Sequence, residues 1–210
     1  MKKVLKVTGI VVVILIGLFL IFILINGIRN YSIVSNIMKE NKKFSDSLEN
    51  YYFERNQEMN MGKIKSTKTE IYCYDEIYVR KSFINEDISS EEWYNSRTGE
   101  YIAMDEAGNL MNQEVDEEIK NDYRDILLMG DLKENKMTNA IWQVVLHNII
   151  RPITTENECY VISYNEGTVY VDKDTSFIKQ YLAGDVNLYY FIEKDSVGSE
   201  DVEKPITEEE

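Results

Sequence analysis

The longest uncharged stretch of the sequence covers residues 7–28 and is apolar apart from Thr8, Asn26 and three glycines. At about 1.5 Å per residue, a helix of this length covers roughly 30 Å, the thickness of the hydrocarbon core of a bilayer. The apolar region of a secretory signal peptide is shorter, about 7–15 residues. The stretch therefore predicts one membrane-spanning helix, and it makes the rest of the chain the extramembrane part of a single-pass protein.

Basic residues lie on both sides of this span, so their number does not decide its orientation. Lys2, Lys3 and Lys6 precede the span, and Arg29, Lys39, Lys42 and Lys43 follow it. A very short basic head before a long apolar run is typical of an uncleaved signal anchor, whose amino terminus stays inside. We therefore expect residues 1–6 to form a cytoplasmic head, residues 7–28 to anchor the protein in the cell membrane, and the remainder to be extracytoplasmic.

The extramembrane part is strongly acidic and has the size of one domain, which we place at residues 31–195. All 37 acidic residues but only 20 of the 23 basic ones follow the span, so this part carries a net charge of −17. A surface of this sign repels phosphate backbones and anionic headgroups, which disfavours nucleic-acid binding and peripheral docking on acidic lipid. A cationic protein partner fits the charge.

Helical and strand periodicities alternate along this domain and predict the α+β class. From Tyr31, apolar residues at helical spacing as far as Tyr51 or Tyr52 predict a first helix. Further helices are predicted at residues 115–129 and 138–150. Strands are predicted at 67–74, 77–84, 92–96, 100–104 and, weakly, 110–113, and then at 158–164, 168–172, 177–182 and 188–193. Compact polar turns such as Asp75-Glu76 join these strands, which is typical of antiparallel meanders.

The last segment, residues 196–210, is acidic, nearly free of aromatic residues, and ends in Glu208, Glu209 and Glu210. Such a composition cannot bury enough apolar surface to offset the entropy of ordering the chain. We expect this tail to be disordered.

No arrangement of residues points to catalysis or to a metal. The chain has one histidine, His147, and no G-x-S-x-G serine motif to accompany it. Asp172-x-Asp174-x-Ser176 begins like a calcium loop, but Phe177 and Ala183 stand where the loop requires glycine and glutamate, so a polar hairpin turn explains it better. We expect a protein that is not an enzyme and that holds no cofactor.

Two cysteines, Cys73 and Cys159, fall in predicted strands of different meanders. In an exported domain such a pair is compatible with a disulfide, which would stabilise the fold by roughly 4–5 kcal/mol on the chain-entropy model. Two free, buried cysteines explain the sequence equally well.

Aromatic residues in the predicted strands allow two interpretations. They could line a concave apolar face for a lipid or acyl chain, or they could pack in the sheet, where tyrosine is favoured for its shape. The residues of this candidate face are Trp93, Tyr94, Tyr101, Tyr160, Tyr164, Tyr170 and Tyr190.

Three stretches of the sequence, together with the order of elements, carry a resemblance to a known family. The stretches are Glu92-Trp-Tyr-Asn-Ser-Arg-Thr-Gly-Glu100, Thr168-Val-Tyr-Val-Asp-Lys-Asp-Thr-Ser176 and Leu188-Tyr-Tyr-Phe-Ile-Glu193. With them the chain resembles the lipoprotein-localisation superfamily, the LolA-like and LppX-like domains. The resemblance covers most of residues 31–205 and is to membrane-anchored bacterial members. It implies a curved antiparallel sheet, a half-barrel, with an N-terminal helix and a two-helix insert packed on it. The stretch from Tyr160 to Tyr181 also resembles the end of a PepSY-type domain.

These observations lead to one functional expectation and one alternative. The first is a non-catalytic, membrane-tethered extracytoplasmic domain that binds a lipid, a lipoprotein-like ligand or a protein partner at the cell envelope. The alternative is a PepSY-like regulatory or interaction module with a filled core and no ligand.

Overall fold

The computed structural model describes residues 2–61, 64–111, 134–164 and 167–205. Helix α1 is Lys2–Asp46, helix α2 is Glu134–His147, and a short 3-10 helix is Ser199–Val202. The strands are β1 Tyr51–Met61, β2 Ile64–Tyr74, β3 Ile77–Ile84, β4 Asp87–Asn95, β5 Glu100–Asp105, β6 Thr154–Glu156, β7 Cys159–Tyr164, β8 Gly167–Asp172, β9 Ile178–Ala183 and β10 Val186–Lys194.

Helix α1 joins the apolar span to the folded domain without a break. It has 45 residues, which is about 67 Å of continuous helix. Its first part is long and apolar enough to cross a membrane, and the apolar side chains from Ile10 to Ile28 are exposed except for the half-buried Ile23, as a lipid-facing segment requires. Its second part buries Val34, Ile37 and Met38 in the domain core. The predicted span and the predicted first helix are thus one element.

The ten strands form one open antiparallel sheet, in the order β5-β4-β3-β2-β1-β10-β9-β8-β7-β6. Strands β1 to β5 form one meander and strands β6 to β10 form another. The first strand, β1, pairs with the last, β10, with Phe53 opposite Ile192, and this pairing joins the two meanders. The α+β class and the antiparallel meanders are confirmed.

Strand β1 corrects the prediction that Tyr51 or Tyr52 continues the first helix. Helix α1 ends at Asp46, and after a short turn the chain is extended from Tyr51 to Met61. Side chains alternate here, so Tyr51 and Phe53 are buried beneath α1 while Tyr52 packs on the opposite face of the sheet. Aromatic residues suit a strand that is covered on both faces. The helical spacing of apolar residues continues by chance across the turn after Asp46, so it does not reveal the change from helical to strand periodicity.

Three clusters of apolar side chains hold the layers together. The first lies between the two helices and strands β7 to β9 and includes Ile37, Val145 and Val171. The second lies between the end of α1 and strands β1 to β4, around Phe53. The third lies on the opposite face of the sheet and includes Val79 and Trp93. The helices therefore cover one face of the sheet.

The start of the acidic tail is ordered, which corrects the prediction of disorder for residues 196–205. Val197 and Val202 are buried against the outer face of the sheet. The indole Nε1 of Trp93 donates a hydrogen bond to the carbonyl oxygen of Val202 at 2.9 Å. Residues 206–210 lie outside the described residues, and so does the helix predicted at 115–129. The helix predicted at 138–150 is present as α2.

Buried asparagines join α1 to the turn after α2. The Asn30 amide donates to the carbonyl of Asn148 at 2.7 Å, and the Asn26 amide donates to the carbonyl of Ile149 at 3.4 Å. The Asn148 amide donates to the carbonyl of Ser163 at 2.7 Å, and its oxygen accepts from the Ser163 N–H at 3.0 Å. Because these groups are buried or half-buried, the network fixes α2 and strand β7 relative to α1.

The segment from Asp172 to Ser176 is the polar turn that the sequence predicts. One oxygen of the Asp172 carboxylate accepts hydrogen bonds from the N–H groups of Asp174 and Thr175 at 3.0 and 2.8 Å. Its other oxygen contacts the ammonium of Lys179 at 2.5 Å. Burial raises the pKa of Asp172, but these hydrogen bonds outweigh that effect and hold the pKa below its ordinary value.

The lowered pKa of Asp172 makes part of the stability depend on pH. The carboxylate stabilises the fold fully above the pKa of the unfolded side chain, about 3.9, and this contribution is lost as the pH falls through the lower folded value. We expect Asp172→Asn to reduce the stability difference between pH 7 and pH 3, measured by urea unfolding at each pH. The exposed neighbour Asp174 supplies the control, since Asp174→Asn should leave that difference unchanged.

Candidate functional site

The seven aromatic residues of the predicted ligand face do not share one face of the sheet. Tyr94 lies opposite Tyr101 on β5 and stacks on Tyr78 of β3 with ring centroids 6.2 Å apart, on the side that the helices cover. Trp93, its neighbour in the strand, is on the opposite side beneath the 3-10 helix. Tyr170 also faces away from the helices, because Val169 and Val171 on either side of it are in the first cluster.

The remaining members of this set lie on the helix-covered side and pack in its clusters. Tyr160 and Tyr164 pack against the cluster shared with α1 and α2. Tyr101 and Tyr190 pack against the cluster around Phe53. These four side chains are half-buried and pack against the core, and the set of seven divides into five residues on one face and two on the other.

Cys73 and Cys159 are both free and buried, so the structure has the unbridged arrangement. Cys73 is on β2 and Cys159 is on β7, with four strands between them in the sheet. Five strand spacings of about 4.8 Å separate the two strands by roughly 24 Å along the sheet. A disulfide requires Cα atoms within about 7 Å, which explains why the bridge considered from the sequence is absent.

The free thiols give a direct chemical prediction. Alkylation of the unfolded chain without reductant should add two labels, because both cysteines are free. In the folded chain Cys73 should react slowly at neutral pH, since burial raises its pKa to about 11 and the thiolate is the reactive form. Intact-mass measurement after timed labelling checks both statements. A mass showing no label on the unfolded chain would mean that the thiols are bridged.

The described residues form a cleft at the end of α1 farthest from the span. We call it the distal cleft, and its volume is about 670 Å³. Some 18 residues of helix lie between Ile28 and Asp46, which places the cleft about 27 Å from the end of the apolar run. The lining residues are Ser45, Asp46, Leu48, Glu49, Asn50, Tyr51, Cys73, Tyr74, Asp75, Glu76, Tyr78, Tyr94, Ser96 and Arg97.

Three loops from distant parts of the sequence build the distal cleft at one end of the sheet. They are the turn from α1 into β1, the β2–β3 turn and the β4–β5 turn. Asn50 ties two of them together, because its side-chain oxygen accepts from the N–H of Asp75 at 3.1 Å. Asp75 and Glu76 have φ of 50° and 67°, the left-handed conformation that a two-residue hairpin turn requires.

The charge of the distal cleft is negative. Its lining contains the carboxylates of Asp46, Glu49, Asp75 and Glu76 and one guanidinium, Arg97, which leaves a net charge of −3. Arg97 pairs with both oxygens of Asp75 and, through Nε, with Glu76 at 3.2 Å. Asp46, the last residue of α1, and Glu49, on the turn that follows it, are both exposed.

The floor of the cleft is aromatic. Tyr51 and Tyr94 are buried there, and Tyr78 stacks on Tyr94. Farther along the same face Arg80 Nη2 contacts the buried carboxylate of Glu92 at 2.5 Å. Burial and this neighbouring carboxylate raise the pKa of Tyr101, so its hydroxyl stays protonated. The carboxylate rim above this floor gives the cleft a negative potential, which attracts cations.

No family model matches this chain, and no characterised protein matches it by sequence. Within the described parts of the chain, no three His, Cys, Asp or Glu side chains are grouped so that they could hold a metal ion. His147 is exposed at the last position of α2.

The sequence contained a partial signal for the distal cleft. Asp75-Glu76 and Arg97-Thr98-Gly99 are recognisable as turns, and their opposite charges predict an ion pair if the two turns are neighbours. Strands β2 to β5 form a meander, so alternate turns do lie at the same end of the sheet. The contribution of Asp46 and Glu49 was not predictable, because the strand after α1 was missed.

Proposed function

We propose that this protein is a non-catalytic, membrane-anchored domain that binds a cationic segment of a partner protein in the distal cleft. The observation that carries the proposal is the set of four carboxylates around one cleft of about 670 Å³, which four tyrosines also line. A lysine or arginine side chain gains from charge attraction by the carboxylates at the rim.

The position of the cleft supports the same function. A rigid helix holds the binding site about 27 Å beyond the end of the span, where a protein at the membrane surface reaches it. We propose that the amino terminus is cytoplasmic and that the domain is extracytoplasmic, because a short basic head precedes a long apolar run. The site then faces partners in the cell envelope.

The form of the domain fits an interaction module with a filled core. We also propose that the sheet curves as a half-barrel around α1 and α2, which is the shape that a lipoprotein-localisation domain has. A lipid or acyl ligand on the seven aromatic residues has less support, since five of them pack beneath the helices and two lie on the other face.

A binding experiment with a charge-matched control tests the proposal. The full chain in nanodiscs is titrated with a lysine-rich peptide and with a glutamate-rich peptide of equal length. We expect only the lysine-rich peptide to bind, and more weakly as salt rises. Asp46→Asn with Glu49→Gln should weaken binding about tenfold, since each exposed charge contributes up to about 1 kcal/mol.

The control removes two exposed carboxylates at the other end of the sheet, by Asp87→Asn with Asp185→Asn. This variant has the same net charge as the cleft variant and should bind the peptide like the wild type. An equal loss of affinity in both variants would show that the peptide responds to total charge and would overturn the assignment to the cleft.

A further inference from the structure

A stripe of exposed apolar residues runs down the side of α2 that faces away from the core. Trp142, Leu146 and Ile150 are 50%, 60% and 64% exposed. Their spacing of four places them on one side of the helix and of the turn that follows it. The buried residues Ile141, Val144 and Val145 take the other side. We call the three exposed residues the α2 stripe.

The α2 stripe lies beside the point at which the apolar span ends. The ring centroids of Trp142 and Tyr31 are 5.3 Å apart. Tyr31 is three residues after Ile28, so Trp142 lies about 4–5 Å along α1 beyond the end of the span. Seven residues later, the Ile149 carbonyl accepts a hydrogen bond from Asn26. Helix α2 therefore descends along α1, and the turn containing Ile149 and Ile150 is level with the last residues of the span.

The buried asparagine network prevents this turn from moving away from α1. Asn30 donates to the carbonyl of Asn148 at 2.7 Å, and Ile153 N–H donates to the side-chain oxygen of Asn30 at 3.4 Å. Arg29 also donates to the carbonyl of Ile153 at 3.5 Å. If α1 crosses a bilayer, the stripe has a fixed height relative to that bilayer.

The charge of this surface differs from that of the rest of the domain. Residues 141–153 contain no aspartate or glutamate, and the first acidic residue of the chain is Glu40, ten residues beyond Asn30. Arg29 and Arg151 are both exposed here. Within residues 26–39 and 141–153, both described by the structure, no carboxylate repels lipid phosphates, and the two guanidinium groups attract them.

We propose that the α2 stripe inserts into the same bilayer that α1 spans, so that the domain lies against the membrane on this side. Trp142 and Tyr31 occupy the interfacial level, where aromatic rings with a polar edge are favoured. Leu146 and Ile150 reach the boundary of the acyl chains. The proposal depends on α1 crossing a membrane and is independent of the function proposed for the distal cleft.

Lipid quenching of Trp142 tests the proposal in the full chain. The protein is reconstituted in vesicles of phosphatidylcholine and phosphatidylglycerol whose acyl chains carry bromine near the glycerol, and bromine quenches an indole that it touches. We expect Trp142 to be quenched. Trp93 is buried beneath the 3-10 helix, so the Trp142→Phe variant should show no bromine-dependent loss of emission.

Paired substitutions make the test specific for the stripe. Leu146→Glu with Ile150→Glu places carboxylates on exposed positions, so the domain should fold while the quenching of Trp142 is lost. The control, Ile88→Glu with Leu110→Glu, makes the same change at exposed positions elsewhere and should leave quenching unchanged. Equal Trp142 emission in brominated and plain vesicles would overturn the proposal. Protection from an aqueous quencher without bromine quenching would also overturn it, by indicating a second copy or another protein.

Discussion

Phe53→Ala should lower the free energy of unfolding by about 3–5 kcal/mol, the cost of truncating a fully buried aromatic side chain. Phe53 is 0% exposed at the centre of the sheet. Its ring centroid lies 6.3 Å from that of Phe177 and 6.4 Å from that of Tyr190. The strands on both sides place Ile71 and Ile192 directly opposite it. Truncating the ring therefore leaves a cavity where the two meanders meet. Urea unfolding of the full chain in detergent micelles measures the decrease in the free energy of unfolding.

Phe191 provides the matched control for Phe53. It lies one strand away on β10, on the opposite face of the sheet, and is 52% exposed. We expect Phe191→Ala to change the free energy of unfolding by less than about 1 kcal/mol, because an exposed site leaves no cavity. A comparable loss in both variants would contradict the assignment of the two faces.

Asn148→Ala should cost about 3 kcal/mol, because it leaves buried donors and acceptors without partners. The side chain of Asn148 holds the N–H and the carbonyl of Ser163 at 3.0 and 2.7 Å, and it also donates to the carbonyl of Val144 at 2.8 Å. Alanine removes all three bonds. Urea unfolding gives the loss of stability, and hydrogen exchange should show faster exchange at the Ser163 amide.

Asn36, which is exposed on α1, provides the control for Asn148→Ala, because replacing it shows the effect of removing an asparagine that is not buried. Asn36→Ala should alter stability by a few tenths of a kcal/mol and in the stabilising direction, since alanine is the better helix former. If Asn148→Ala were equally mild, the network between α1, α2 and β7 would not be a stabilising feature.

Local patterns in the sequence predicted much of the fold. The uncharged run at 7–28 predicted the span, and the alternation of residues with polar turns predicted most strands of both meanders. Period and turn chemistry act over a few residues, so they can be read without knowing the partner strand. Asp75-Glu76 is an example, because the hairpin turn needs only those two residues in the left-handed conformation.

Features that depend on distant contacts were missed for physical reasons. Tyr51, Tyr52 and Phe53 suit a helix or a strand, and only pairing with β2 and β10 decides between them. Composition predicted a disordered tail, yet Val197 and Val202 in its first part are buried in one cluster with Trp93, a contact that composition does not reveal. The distal cleft is assembled from three loops, so no single stretch of sequence contains it.

The pairing of β1 with β10 also sets when the domain can fold during synthesis. The anchor and β1 leave the ribosome first, and β10 is the last strand to leave it. Until then the first meander has an unpaired inner edge, and such an edge recruits other strands. Closing the pair brings together residues that are far apart in sequence, which slows folding. A chain that stops before Val186 therefore leaves the inner edge of the first meander unpaired and exposed to aggregation or to proteases.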